Sequence, residues 1–354
     1  MRPRLKPVLR RVERDGRTLQ FGVHPLRAVV LADVEPAVRR FIDGLDGTRG
    51  LEQVVAGGGL DEASARELVD RLTALGLVED AAVPPQPLSG LTIAERDRLR
   101  PELERLALTS ADGGMGGMSG RRAARVRLYG AGRVGAQVAS LLAAAGVGHL
   151  CVVDPGTARH EDVTPGGLGW AEAGRPREEG AVAVARRIAP GVNAWPGREA
   201  SRLSDRGARP DLVILAPVGP LDPVLVHELT GEGLPHLLVS AFEGHGSVGP
   251  LVVPGRTPCL RCLDLARRDR DPCWPAVSAR LGGYPAGEIA CDAALSCLVA
   301  AQAAGHALAF LDGENVTNAI HDVSPGWRWR HRPCSPHPRC DCGRKDSASL
   351  RMVG

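Results

Sequence analysis

The sequence predicts an α/β protein in which a small N-terminal domain precedes a doubly wound sheet of parallel strands. Residues 125–154 read as strand, glycine turn, helix and strand, and helices and strands keep alternating after them, the order typical of a parallel sheet. Residues 211–216 (DLVILA) are continuously apolar after the aspartate, as expected of a strand covered on both faces. Residues 1–82 indicate another order, three strands and then three short helices.

The first 82 residues predict a winged-helix domain. Short strands are indicated at residues 5–12 and 19–23, around a turn at Asp15-Gly16, and a third at residues 27–31. Asp61 is placed to cap the third helix, over residues 61–76. Winged helices commonly bind DNA, but this helix carries four acids against two arginines and would be repelled by phosphates.

Peptide capture is the alternative use of such a domain. An exposed strand edge accepts another strand, and the groove beside a helix supplies pockets for side chains. The residues expected to contact the peptide lie on the third strand and the third helix: Arg27, Ala28, Val29, Val30, Leu31, Arg66 and Val69. A purely structural accessory domain is the remaining interpretation.

Residues 83–122 are predicted to link the two domains. A capping box at Thr92 to Glu95 opens a polar helix, and the glycine-rich residues 110–120 predict a flexible linker. Residues 123–343 form the predicted second domain, and residues 344–354 a disordered C-terminus.

The composition favours a cytoplasmic protein that binds neither nucleic acid nor membrane. Lys and Arg number 44 against 41 Asp and Glu, a net charge of +3. The N-terminus lacks the apolar segment of a signal peptide. The apolar stretch 291–311 contains Asp292, Gln302 and His306, which indicates a buried helix rather than a membrane span. Nine cysteines then point to a metal or to buried thiols rather than to disulfides.

The glycine turn predicts a nucleotide site. Gly130 allows a tight turn, Gly132 lets the backbone approach a phosphate, and Gly135 lets the helix pack closely on the strand. The helix N-terminus favours an anion. Asp154 ends the second strand, where a carboxylate can accept the hydroxyls of a ribose.

Two cysteine pairs predict a structural zinc site. Cys259 and Cys262 form a CxxC pair, and Cys340 and Cys342 a second pair near the C-terminus. Four thiolates make a closed tetrahedral site without room for a catalytic water. Cys334 and His337 are alternative ligands, and a redox-active CxxC is the alternative use of the first pair.

Together these residues resemble the E1-like, or ThiF-type, adenylyltransferase family over residues 123–343. The resemblance rests on the glycine turn with Asp154, on residues 246–262 (GSVGPLVVPGRTPCLRC) and on the C-terminal cysteine pair. The N-terminal domain resembles the PqqD-like elements that recognise leader peptides. With the WPxxxxxL-like residues 274–281, the whole chain resembles the ThiF-like partner proteins of YcaO-type cyclodehydratases.

The resemblance implies a protein that binds the leader of a ribosomally made precursor peptide. It would present the Cys, Ser or Thr residues of that precursor to a YcaO enzyme for azoline formation. E1-like folds also imply a homodimer.

Three departures from the family pattern decide the expected chemistry. Residues 164–170 (TPGGLGW) stand where active members carry Asn-x-x-Arg, and Pro217-Val218-Gly219 where they carry an aspartate that positions Mg²⁺. Arg177 stands in for a family lysine that contacts phosphate. Because charge stabilisation of the transition state would be missing, we expect no adenylation. The alternatives are an active adenylyltransferase that uses ATP and Mg²⁺, and a nicotinamide-dependent reductase.

Overall fold

The structure is a computed structural model that describes residues 1–197, 209–218, 221–280, 290–314 and 318–343. It divides into two compact units, Met1–Gly120 and Arg121–Gly354. The C-terminal residues 344–354, predicted to be disordered, lie outside the described residues.

The first 80 residues of the N-terminal unit combine two small sheets with three helices. A three-stranded antiparallel sheet has β3 (Thr18–Phe21) in its centre, between β2 (Arg11–Asp15) and β4 (Val29–Leu31), and a second sheet pairs β1 (Pro3–Leu5) with β5 (Val78–Asp80). The predicted strand over residues 5–12 is two strands, because Pro7 interrupts it and lacks the N–H that a ladder needs. In chain order the elements are β1 (Pro3–Leu5), β2 (Arg11–Asp15), β3 (Thr18–Phe21), β4 (Val29–Leu31), α1 (Pro36–Asp43), α2 (Leu51–Gly57), α3 (Glu62–Ala74) and β5 (Val78–Asp80).

This unit has an apolar core of its own. Leu19 and Phe21 of β3 pack in one cluster with Phe41 of α1 and Leu72 of α3. Helix α3 begins where the sequence predicts, since Asp61 accepts the backbone N–H of Ser64.

The glycine-rich residues after the helix α4 (Ile93–Ala107) are more ordered than predicted. Residues Met115–Ala123 form helix α5, so the flexible linker predicted over 110–120 is wrong for its second half. Met118 is completely buried. A Cβ on Gly114 would lie 2.7 Å from the Leu103 carbonyl oxygen. The glycines therefore allow two helices to approach closely, which overrides their low helix propensity.

The C-terminal unit is built on an eight-stranded mixed sheet, whose strands lie in the order β13 (Arg328–Pro333), β12 (Ala319–Ser324), β11 (His245–Val252), β10 (His236–Phe242), β9 (Leu212–Leu215), β6 (Arg125–Tyr129), β7 (His149–Val153) and β8 (Asn193–Pro196). Strands β8, β7, β6, β9 and β10 are parallel, as predicted, whereas β11, β12 and β13 are antiparallel. The elements are β6 (Arg125–Tyr129), α6 (Gly135–Ala144), β7 (His149–Val153), α7 (Arg177–Ile188), β8 (Asn193–Pro196), β9 (Leu212–Leu215), α8 (Pro223–Gly231), β10 (His236–Phe242), β11 (His245–Val252), α9 (Leu260–Arg270), α10 (Trp274–Arg280), α11 (Ala293–Leu311), β12 (Ala319–Ser324) and β13 (Arg328–Pro333).

Helices cover both faces of the parallel strands. Leu212 and Ile214 of β9 belong to one core with α6, α7 and α11, whereas Val213 and Leu215 belong to another with α8 and α9. Helix α11 is long and apolar enough to cross a membrane by length and composition alone. Its inner face, including Val299, packs in the main core against α6 and the sheet, which is typical of a core helix.

The strand order places a crevice at the carboxyl ends of the parallel strands. From β6 the chain adds β7 and β8 on one side, and then returns to add β9 and β10 on the other. In open α/β sheets, ligands bind where the strand order reverses, at the carboxyl ends of the strands. Here that point lies between β6 and β9.

Candidate functional site

The glycine turn follows β6 at this crevice, and its glycines are required by packing. Gly130 has φ of +94°, and a Cβ there would lie 1.9 Å from the carbonyl oxygen of Ala216. A Cβ on Gly135 would lie 1.9 Å from the carbonyl oxygen of Gly130. Gly132 is buried, and its carbonyl accepts the N–H of Ala136. The turn is thus held as the sequence predicts, whether or not a ligand is bound.

The carboxylate of Asp154 is engaged by this turn. It is 5% exposed, and its Oδ2 accepts the backbone N–H of Ala131 at 2.7 Å. Its Oδ1 accepts the backbone N–H of Gly156, also at 2.7 Å. The acid predicted to hold a ribose therefore joins the end of β7 to the glycine turn.

Arg177, the predicted substitute for a phosphate-binding lysine, is also committed within the protein. Its Nε and a terminal nitrogen donate to both carboxylate oxygens of Asp162, at 3.0 and 3.3 Å. The other terminal nitrogen lies 3.9 Å from Asp154. Both Arg177 and Asp162 are buried. A phosphate would have to compete with two carboxylates for this guanidinium.

A cavity of about 710 Å³ occupies the crevice, within the usual range for small-molecule sites. Gly130, Asp154, Arg177 and Val218 line it. The structure adds Asp222, whose carboxylate accepts the N–H of Val224 and caps α8. Sequence reasoning missed this residue, although an aspartate before a proline is a common helix start.

The lining of the cavity does not suit Mg²⁺ and a triphosphate. Ala216, Pro217 and Val218 follow β9, so the metal-positioning aspartate of the family is absent from this place. Its charged lining consists of Arg159 and Arg177 with Asp154 and Asp222, two charges of each sign. With little uncompensated positive charge, the cavity offers weak attraction for several phosphates.

The four predicted zinc ligands lie together at one end of α9. The Sγ atoms of Cys259, Cys262, Cys340 and Cys342 lie within 4.8 Å of one another. The contacts Cys259–Cys340 and Cys262–Cys342 measure 3.6 and 3.4 Å. Tetrahedral Zn–S bonds of about 2.3 Å place sulfur atoms roughly 3.8 Å apart. The donor set and its spacing therefore fit a closed zinc site.

The two alternative ligands point elsewhere. His337 pairs through Nε2 with Asp269 at 2.8 Å, while its backbone N–H donates to Cys262. Cys334 is outside the group of converging thiols. Burial raises the pKa of the Cys259 thiol and raises that of Cys342 to about 11. A bound cation would supply the charge that lets these thiols ionise.

Most of the residues predicted to bind a peptide are exposed or half-buried, but one is buried in the core. Strand β4 lies at one edge of its sheet, with Val30 44% exposed and Val29 and Leu31 half-buried against the core. Arg66 is exposed and pairs with Glu62 one helical turn away. Val69 is only 2% exposed, so its side chain packs in the core and cannot contact a peptide.

The residues just before β4 are anchored within the unit. The guanidinium of Arg27 donates to the carbonyl of Leu108, and the backbone N–H groups of Arg27 and Ala28 donate to the carbonyl of His24. The start of β4 is therefore held in place.

Comparison with known proteins gives one family and several similar folds. Residues 105–343 match the ThiF family. A stretch of 156 residues is 26% identical to the adenylyltransferase and sulfurtransferase UBA4 of Yarrowia lipolytica. It covers 42% of this chain and 39% of UBA4, so the chain spans about two fifths of the length of this curated relative.

Solved structures resemble the whole chain in fold. E. coli MccB with ATP has a TM-score of 0.71 at 14% identity, covering 97% of this chain and 99% of MccB. The microcin C7 biosynthetic enzyme MccB with N-formylated MccA gives the same values. PaaA has a TM-score of 0.68 at 16% identity, covering 93% of this chain and 99% of PaaA. With the family match spanning well over half of its length, the chain belongs to the ThiF family.

Proposed function

We propose that this protein binds the leader of a ribosomally made precursor peptide on the open edge of β4. It presents that peptide to a separate YcaO-type cyclodehydratase and does not adenylate it. The observation that carries the proposal is that β4 ends its sheet with one side open. The N-terminal unit to which it belongs has an apolar core of its own.

The edge of β4 suits strand addition. Among the described strands, β4 pairs only with β3, which leaves one row of backbone N–H and C=O groups for a peptide. Val30 projects away from the core and offers an apolar contact, while Val29 and Leu31 fix the strand to the domain. The fold relative MccB has been solved with MccA, which supports a peptide as ligand.

The crevice supports a presenting role better than a catalytic one. Asp154 already accepts two backbone N–H groups, Arg177 already donates to Asp162, and no aspartate directly follows β9. Removal of a single group that stabilises transition-state charge commonly lowers rates about 10²- to 10³-fold. A ThiF-family protein with this crevice would keep the fold as a docking scaffold and leave ATP chemistry to the YcaO partner.

Binding of a labelled leader to the full chain tests the proposal. The probe is the leader half of a short Cys-, Ser- and Thr-rich peptide encoded beside the gene, measured by fluorescence anisotropy. V30E should weaken binding at least about tenfold, because the bound peptide would bury the unpaired carboxylate of the glutamate. V12E is the matched control, since Val12 has nearly the same exposure on the opposite edge of the same sheet. Equal losses in both variants, or no binding by the wild type, would reject capture at β4.

The second candidate function is adenylyl transfer to a peptide carboxylate. Asp222 favours it, because this acid lines the crevice four residues beyond the position of the missing aspartate. ATP–pyrophosphate exchange with the precursor peptide separates the two functions. We expect exchange at background in the wild type; exchange that D222N abolishes would establish the enzyme instead.

A further inference from the structure

The antiparallel end of the C-terminal sheet carries a groove whose lining is strongly basic. The groove has a volume of about 390 Å³ and lies between these strands and α9. Its charged lining comprises four arginines and one aspartate, a formal net charge of +3: Arg267, Arg328, Arg330, Arg332 and Asp322. The whole chain has a net charge of +3 over 354 residues, so this groove concentrates positive charge locally.

Three of the arginines form one row along β13. Arg328, Arg330 and Arg332 occupy alternate positions and lie opposite Ser324, Asp322 and Ile320 of β12, all on the groove side. Alternate residues of a strand share a face and lie roughly 6.8 Å apart. The row therefore has the period of a β-strand.

Only one arginine of this row forms an ion pair in the part of the chain that the structure describes. Arg332 binds both oxygens of Asp322, and Asp322 also accepts the Ser247 hydroxyl at 2.8 Å. Arg330 lies opposite Asp322 in the strand register but forms no ion pair with it. Arg328 and Arg330 are exposed and form no ion pair among the described residues.

The opposite face and the outer edge of β13 are also open. Trp329 is 54% exposed and lies between the two unpaired arginines in sequence, on the other side of the strand. Strand β13 ends the sheet, and among the described strands it pairs only with β12. An exposed edge of this kind is a template for an added strand.

We propose that β13 binds an extended acidic peptide segment in which acidic and apolar residues alternate. Its backbone would add to the open edge of β13. Its carboxylates would face Arg328 and Arg330 in bidentate pairs, and its apolar residues would cover Trp329. This site lies in the C-terminal unit and is independent of peptide capture at β4.

Because the arginines and Trp329 lie on opposite faces of β13, the strand favours a peptide over a nucleic acid. A polyanion needs only the arginine row and gains nothing from the aromatic residue on the other face. A strand, whose successive side chains point to opposite sides, meets both features at once.

Fluorescein-labelled peptides test the proposal on the full chain. The probe with sequence EVEVEV should bind, whereas EEEVVV, with the same composition, should bind at least about fivefold more weakly, and KVKVKV should not bind. R328E/R330E should weaken EVEVEV at least about tenfold and gain binding of KVKVKV. R256E/R280E makes the same charge change at exposed arginines outside the groove and should leave binding unchanged.

Two further measurements keep the site falsifiable even if the double variant folds poorly. W329A should weaken EVEVEV but leave any binding of the oligonucleotide dT12 unchanged. Equal binding of EVEVEV and EEEVVV by the wild type would reject strand addition. Binding of dT12 as tight as that of EVEVEV, lost in R328E/R330E, would reassign the groove to nucleic acid. An equal loss in R256E/R280E would reject the groove altogether.

Discussion

The cysteine cluster and the glycine turn are both predicted ligand sites of the same unit, yet their polar groups are satisfied in opposite ways. The four thiols converge within 4.8 Å, and their main polar neighbours are one another. In the glycine turn, Asp154 holds two backbone N–H groups and Arg177 holds Asp162. Burial raises the pKa of Cys259 and Cys342, so a bound cation would favour their ionised form, whereas Asp154 and Arg177 already have partners and keep their geometry without a ligand.

The largest expected effect is loss of metal from the cysteine cluster. Purified wild type should contain about one zinc per chain by elemental analysis, and C259S/C262S should contain almost none. The C-terminal tail carrying Cys340 and Cys342 should then become sensitive to protease, because structural zinc contributes on the order of 10 kcal/mol in small zinc domains. C334S is the control and should keep its metal. A metal-free wild type, or equal loss in C334S, would contradict the assignment.

A methyl group in the glycine turn should have the next largest effect. G135A places Cβ 1.9 Å from a backbone oxygen that cannot move away cheaply. We expect a loss of roughly 4 kcal/mol or more in the free energy of unfolding, measured by urea denaturation. G305A is the matched control, because Gly305 lies in α11 with open space around its Cα, and should stabilise by up to about 1 kcal/mol. A harmless G135A would show that the turn is kept for a ligand only.

Removal of the Asp154 carboxylate tests whether this group stabilises the fold or serves a ligand alone. D154A removes two charge-assisted hydrogen bonds to the backbone, one of them buried, so we expect a loss of about 3 kcal/mol in unfolding free energy without any nucleotide present. D222A, which removes only a helix cap, should cost about 1 kcal/mol. An unchanged urea midpoint for D154A would mean that its carboxylate serves a ligand.

His306 gives a third case for comparison, a buried side chain whose ring nitrogen Nε2 lacks a hydrogen bond among the described residues. It is 7% exposed. Burial, with a smaller effect of nearby His321, lowers the pKa of His306 from 6.5 to about 4. The folded protein therefore binds fewer protons than the unfolded chain between these values, so stability is complete above about pH 6.5 and falls as the pH drops toward 4.

We expect at most about 3 kcal/mol of unfolding free energy to be lost across that window. H306L should remove this part of the pH dependence, as measured by denaturation at pH 7 and at pH 4.5. An identical pH dependence in H306L would place the titration on other groups.

Local patterns carried much of the prediction. Asp61 caps α3, the glycine turn joins β6 to α6, and the two cysteine pairs meet, because each depends on short spacing or on one type of chemistry. The prediction was wrong where long-range packing overrides propensity. Met118 is buried in helix α5, within a glycine-rich segment predicted to be flexible. No strand was predicted at β12 or β13, whose pairing aligns three arginines on one face.

The α/β unit, the glycine turn and the four cysteines that converge could be predicted from the sequence, since these rest on residue type and local period. The contacts of each polar group could not, because they depend on the tertiary structure. Asp162 and Ala131 lie 15 and 23 residues away in sequence from Arg177 and Asp154, which they contact, and these contacts make Arg177 and Asp154 buried structural groups. Hydrogen bonding and burial depend on neighbours that the chain brings together only by folding, so the capacity of a site to bind cannot be deduced from its motif.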